Sequence, residues 1–386
     1  MKLPEHISPE KWSRLQAAAS RYETPFLLID LPTVAEKYQE LREGFDFASI
    51  YYAVKANPAP EVIGLLAGLG SSFDIASIYE LDKVLAHDVS PNRISYGNTI
   101  KKSKDIAYFY ERGVRLFATD SEADLHKIAE HAPGSRVYIR ILTEGAEGAD
   151  WPLSRKFGCN PDMAIELAVL ANKLGLVPYG ISFHVGSQQR HIDVWDAAIA
   201  KVKVIFDRLR EEYAIHLRMI NLGGGLPAQY LTKANDFSTY CEEIVRFLKE
   251  DFGDNPPEII LEPGRSLVGD CGLLVSEVVL VSRKSPTALC RWVYTDVGLF
   301  NGLIETLGEA IKYPLCTERD GETEEVVLAG PTCDSMDIMY EDYKYELPLS
   351  LEIGDRLYWF STGAYTTSYC SIEFNGFPPL QYHCVE

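Results

Sequence analysis

Short apolar runs alternate with amphipathic stretches from about residue 25 to residue 265, and this rhythm limits the possible folds more than any other feature. The strand candidates are Phe26–Leu31, Ile50–Ala56, Phe73–Ala76, Ile94–Tyr96, Leu116–Ala118, Val137–Leu142, Gly180–Val185, Met219–Leu222 and Ile259–Leu261. Most are rich in Ile, Val, Leu and aromatic residues and apolar on both faces. Strands buried on both sides and separated by helices predict a parallel sheet. Between them, Asp162–Leu174 and Trp195–Glu212 carry apolar residues at helical spacing, and Ser121 opens a helix with Glu122 and Asp124 in its first turn. Eight or nine such units in about 240 residues predict a (β/α)8 TIM-like barrel, with an open doubly wound sheet as second choice.

After Arg265 the pattern changes. Leu267–Arg283, Arg291–Thr295, Glu325–Leu328, Asp355–Phe360 and Ile372–Phe374 read as strands with few helical stretches between them. Consecutive strands predict a second, mainly β domain of sandwich or barrel type. The expected division is a barrel over 25–265 and a β domain over 266–386 joined by the N-terminal segment 1–24.

Composition removes several function classes. The 386 residues carry a net charge of −19, which disfavours nucleic acid as a partner. No apolar run approaches the roughly 20 residues of a membrane-spanning helix. No apolar stretch follows Met1-Lys2-Leu3-Pro4-Glu5-His6, so no export signal is expected. The eight cysteines are scattered singly without a CxxC pair, and the histidines show neither HxxxH nor HExxH. These patterns predict reduced thiols, no metal centre and a cytoplasmic location.

Chemistry is concentrated where strands end. Lys55 closes the apolar run Tyr51-Tyr52-Ala53-Val54, although lysine is seldom buried. In a barrel, C-terminal strand ends face the active site. An amine desolvated there acquires a lowered pKa and can form a Schiff base with a carbonyl cofactor. A lysine reaching into solvent is the plainer alternative. Gly223-Gly224-Gly225 offers bare backbone N–H groups to a phosphate, or is simply a flexible turn. It has neither GxGxxG spacing nor a Walker lysine.

Glu262-Pro263-Gly264-Arg265 sets a carboxylate three positions from a guanidinium, suited to a protonated ring nitrogen and a phosphate, or to an ion pair at a domain boundary. His184, in Phe183-His184-Val185-Gly186-Ser187, can stack on an aromatic ring while Ser187 donates to phosphate. Cys333 beside Asp334, in Gly330-Pro331-Thr332-Cys333-Asp334-Ser335, can serve as a proton donor, or be an ordinary loop thiol. Tyr365 occupies a tight turn. Together these are the parts that pyridoxal 5′-phosphate needs.

The ordered set YAVKAN, FDIAS, FHVGS, NLGGG, EPGR, GPTCDS and GAYT…FNGF, from residue 52 to 377, resembles the ornithine decarboxylase branch of the alanine-racemase-like pyridoxal-phosphate enzymes. The resemblance implies that Lys55 holds the cofactor covalently, Glu262 pairs with the ring nitrogen and His184 stacks on the ring. Ser187, Gly224, Gly225, Gly264, Arg265 and Tyr365 fall on its cofactor- and phosphate-binding positions, with Asp74 and Glu80 close to the cofactor. It further implies homodimers with active sites shared across the interface. Cys333 then returns a proton to the α-carbon and Asp334 contacts the distal amine of a basic amino acid.

Three segments depart from the eukaryotic family pattern. Trp151-Pro152-Leu153-Ser154-Arg155-Lys156-Phe157-Gly158 has proline where arginine is usual, with Arg155 as a possible replacement. FHVGS continues as Gln188-Gln189 instead of glycine. In Phe300-Asn301-Gly302-Leu303-Ile304-Glu305-Thr306 the family's aspartate falls on Thr306, and the neighbouring Glu305 is the better cation partner because a carboxylate offsets ammonium desolvation. The expected substrate is L-ornithine, then L-lysine, then L-arginine, with diaminopimelate, a racemase and a non-catalytic regulatory homologue ranked below.

Overall fold

The structure, a computed structural model, describes residues 3–143, 148–151 and 156–386. Eight strands form a closed barrel: β1 (Ala48–Ala53), β2 (Ser72–Ile75), β3 (Ile94–Tyr96), β4 (Leu116–Thr119), β5 (Arg136–Arg140), β6 (Val177–Ser182), β7 (Met219–Asn221) and β8 (Glu258–Leu261). Neighbours run parallel, and the circle closes where β8 sets Ile259 opposite Ala48 of β1. Closure excludes the open sheet. Tyr51, Leu116, Ala118, Tyr138, Met219 and Ile260 pack as one buried cluster on these strands. Gly180 lets β6 approach β7, because a Cβ there would lie 2.3 Å from the Met219 carbonyl oxygen.

Helices Pro60–Leu69, Ile78–Leu85, Ser103–Glu111, Glu122–His131, Pro161–Lys173, Asp193–Tyr213 and Phe237–Phe252 follow β1 to β7 in turn. Their starts follow from sequence. Asn160 accepts the Met163 N–H at 2.8 Å with Pro161 in the first helical position. Ser77 accepts the Glu80 N–H at 3.3 Å. Ser121 stands before Glu122–His131, but its side chain makes no cap bond. Asp124, from that first turn, is instead buried against Lys101 at 2.6 Å.

The chain divides into two units. The barrel unit comprises Ala35–Pro227 with Ala234–Ser266, and the β unit comprises Met1–Val34, Ala228–Lys233 and Leu267–Glu386. The β unit is built on a mixed sheet in the order Leu315–Thr317, Arg356–Phe360, Gly272–Ser282, Arg291–Thr295, Thr323–Ala329, Ile338–Pro348.

Three strand expectations are corrected here. Phe26–Asp30 is not a barrel strand. It pairs antiparallel with Gly272–Ser282 and parallel with Gln381–Val385. A run apolar on both faces cannot say which sheet will bury it. Leu267–Arg283 begins as the helical turn Arg265–Val268 and becomes a strand only at Gly272. Ile372–Phe374 is no strand, because Glu373 and Asn375 take left-handed backbone angles and turn the chain. In this unit's core Trp12, from helix Pro9–Ala19, meets Tyr358 edge-on at 5.0 Å. Among the described residues, no helix is long and apolar enough to cross a membrane.

Candidate active site

The barrel unit assembles its polar groups where its strands end. Lys55 is expected within the strand Ile50–Ala56, but the strand ends at Ala53 and Lys55 lies two residues on, in the helical turn Val54–Ala56 that follows β1. It is exposed. Its positive charge acts on two carboxylates, Asp74 and Glu80. Asp74, on β2, is buried, and its Oδ1 has no hydrogen-bond partner among the described residues. Gly97 makes room for it, since a Cβ there would fall 1.8 Å from that oxygen. Burial raises the Asp74 carboxyl well above the usual range; Glu262 adds to this and Lys55 opposes it. Glu80 accepts the Ala76 N–H at 2.7 Å, and burial raises its carboxyl as well.

His184 follows β6, with its orientation fixed. Nδ1 accepts the Gly186 N–H at 3.0 Å, which leaves the ring proton on Nε2. Desolvation lowers its basicity well below the ordinary histidine value, and the positive charges of Arg140 and Lys55 lower it further. The ring is therefore neutral. Glu262, after β8, receives an Asn221 amide hydrogen bond on Oε1, while the Asn221 Oδ1 accepts the Gly223 N–H at 2.8 Å. One asparagine thus holds the carboxylate and the triple-glycine loop together. A Cβ on Gly224 would meet the Glu262 carbonyl at 2.7 Å, and one on Gly225 would meet the Gly186 carbonyl at 2.6 Å.

Arg265 is buried and donates from Nε to Ser187 Oγ at 3.1 Å. Gly264 sits in the buried turn before it, where the Pro263 carbonyl accepts the Ala53 N–H at 2.9 Å and ties this turn to the end of β1.

The other expected residues belong to the β unit. Cys333 and Asp334 are exposed on one loop; the Cys333 N–H donates to Asn375 Oδ1 at 3.1 Å, and Asp334 accepts the Met336 N–H at 2.8 Å. Behind them the buried Asp337 accepts the Thr332 N–H at 3.0 Å and its hydroxyl at 2.6 Å, and on its other oxygen the Leu299 N–H at 2.8 Å. The same carboxylate therefore ties the Cys333 loop to the segment leading into Glu305 and Thr306. Both of those are buried in the 3-10 stretch Ile304–Glu309, and the Thr306 hydroxyl donates to Leu303 O at 2.7 Å. Tyr365 is half-buried in a turn with φ +61°. Arg155 lies outside the described residues.

Sequence reasoning missed Arg140, Tyr138, Asn221 and Asp337. Arg140 ends the apolar strand β5, the signal that flagged Lys55, and lies 5.1 Å from the Phe157 ring. The Tyr138 hydroxyl is buried 2.8 Å from Ser95 Oγ. Burial, then Glu262 and Asp74, hold its proton on. Asn221 stood unassigned inside a quoted motif.

Residues 31–269 match the family of pyridoxal-dependent decarboxylases through its pyridoxal-binding domain. The chain belongs to this family. This decarboxylase is 32% identical over 364 residues to the lysine/ornithine decarboxylase of Selenomonas ruminantium, covering 94% of this chain and 90% of that protein. It is 32% identical over 339 residues to ornithine decarboxylase of Schizosaccharomyces pombe, covering 85% and 75%. Among solved structures, Vibrio vulnificus lysine/ornithine decarboxylase complexed with putrescine superposes with a TM-score of 0.88 at 27% identity, covering 98% and 99%.

The residues present suit a pyridoxal phosphate. A lysine amine, a carboxylate oriented by Asn221, a neutral imidazole and a buried arginine anchored on a serine stand in one unit. At Gly224 and Gly225 a side chain would collide with neighbouring backbone, so the N–H groups there stay bare.

Proposed function

We propose that this decarboxylase removes the carboxylate of a basic L-amino acid, L-ornithine first and L-lysine second, releasing carbon dioxide and a diamine. The pairing of Glu262 with Asn221, in the same unit as Lys55, carries this reading. Bound pyridoxal phosphate supplies an electron sink for the pair left by a departing carboxylate. Lys55 holds the cofactor covalently through its amine. Glu262 keeps a proton on a ring nitrogen set against it, which makes the sink effective. His184, being neutral, lends a flat face that adds no competing positive charge. Ser187, the N–H groups of Gly224 and Gly225, and Arg265 bind phosphate, with Gly264 shaping the turn and Tyr365 adding its hydroxyl. Asp74 and Glu80 flank the lysine.

Cys333 returns a proton to the substrate's α-carbon, and Asp334 meets its distal ammonium. Glu305 joins Asp334 in that role, since its carboxylate offsets the desolvation of an ammonium better than the Thr306 hydroxyl does. We also propose a cytoplasmic homodimer, in which the Cys333 loop of one protomer serves the barrel of its partner. The names of relatives that act on both lysine and ornithine support the second substrate.

The test is carbon dioxide release and change of chirality with L-ornithine, L-lysine, L-arginine and diaminopimelate. Release from ornithine or lysine without racemisation is expected. No release from any of the four would end the proposal.

A further inference from the structure

The loop Gly186–Gln189 carries two glutamines after Ser187, and both are fully buried. Gln188 turns the chain with a left-handed φ of +54°. Gln189 then spends every polar group it owns. Its N–H donates to Gly225 O at 2.9 Å, and its carbonyl accepts the Tyr240 hydroxyl at 2.8 Å. Its side-chain Nε2 donates to Val185 O at 2.8 Å, and Oε1 accepts the His191 N–H at 3.0 Å. A carbonyl can only accept and an N–H can only donate, so the amide has one possible orientation. The two neighbouring loops touch through glycines, where a Cβ on Gly225 would lie 2.6 Å from Gly186 O. A short antiparallel ladder, Ala149 opposite Gln189 and Trp151 opposite Ser187, lies alongside.

We propose that Gln189 is a positioning residue for the phosphate end of the cofactor, acting through the loops that carry Ser187 and Gly225. This rests on the assignment of Ser187, Gly225 and Arg265 to phosphate. Gln189 locks Val185–Ser187 to the triple-glycine loop, so that Ser187 Oγ, fixed to Arg265, and the Gly225 N–H keep one spacing. The left-handed turn at Gln188 directs the chain so that both of the next residue's amides, main-chain and side-chain, reach those loops.

The test uses the enzyme freed of cofactor and retitrated with pyridoxal 5′-phosphate or with phosphate-free pyridoxal, both read by visible absorbance. Gln189→Met keeps the volume but leaves Val185 O and His191 N–H unpaired. It is expected to weaken binding of the phosphate form about tenfold or more while changing phosphate-free binding less than about twofold. Tyr240→Phe removes one bond of the four and is expected to shift the same preference about threefold, which covers the case in which Gln189→Met does not fold. Arg265→Ala is the control and loses the preference outright. If Arg265→Ala loses it while Gln189→Met and Tyr240→Phe keep it, or weaken both forms equally, the positioning role is wrong. If Arg265→Ala keeps it, the phosphate assignment itself is wrong, and the role of Gln189 falls with it.

Discussion

In the barrel unit His184, Glu262 and Arg265 are each fixed by a neighbour, respectively the Gly186 N–H, the Asn221 amide and the Ser187 hydroxyl. In the β unit Cys333 and Asp334 stand exposed, and their fixed point is the buried Asp337 behind them. Under the proposed roles the difference separates two jobs. Groups that hold a permanent cofactor gain from rigidity, because preorganised dipoles and charges need no rearrangement during reaction. On the proposed roles, Cys333 and Asp334 meet a substrate that must enter and leave, and these two sit on a surface loop anchored from below, while Glu305 is buried.

Substitutions can break this contrast, starting with the largest effect. Lys55→Ala is expected to lower kcat at least about a thousandfold and abolish the visible absorption of the loaded enzyme. Retained turnover in that variant would remove the barrel from the chemistry. Cys333→Ala is expected to cost about a hundredfold in kcat while leaving cofactor affinity intact. A loss of cofactor affinity there would erase the distinction between the two regions. Asp337→Ala leaves the Leu299 and Thr332 N–H groups without their acceptor and is expected to cost about tenfold in kcat, with cofactor binding again unchanged. Steady-state kinetics and absorbance titration of one preparation separate these outcomes.

The smallest effect concerns pH. His184 has a folded-state pKa below its unfolded value, so its neutral form contributes stability that is present above about pH 6.5 and lost as pH falls. His184→Asn retains an acceptor for the Gly186 N–H but does not titrate. Between pH 7 and pH 5 the variant's melting temperature is expected to fall less steeply than that of the wild type. The difference is at most about 1.4 kcal/mol per pH unit, the limit for one proton. Parallel slopes would mean that the ring takes up its proton as readily in the folded protein as in the unfolded chain.

The barrel was legible because its strands are apolar on both faces and separated by helices. That same symmetry hid the true partner of Phe26–Asp30, which only long-range pairing decides. Lys55, Glu262 and Arg265 stood out as charges at strand ends. Asn221 did not, because an uncharged amide is ordinary in sequence and acquires meaning only from the atoms it joins. Gln189 stood out only as a departure from a motif, and its bonds to Val185 and His191 could not be read from it. Asp337 was hidden in the same way. Its importance lies in Gly298 and Gly330, where a Cβ would strike its carboxylate at 2.2 Å and 2.3 Å. Thr306 was weighed against Glu305 by chemistry alone, and the Leu303 carbonyl that occupies its proton could not be read from spacing.

The division of labour between cofactor and substrate regions is tested most directly by mixing Lys55→Ala and Cys333→Ala protomers. Each variant alone is nearly inactive. If the barrel of one protomer works with the Cys333 loop of its partner, random two-fold exchange restores one intact site in about half of the dimers, or about a quarter of wild-type activity. Mixed dimers that form yet show no recovered carbon dioxide release would contradict it.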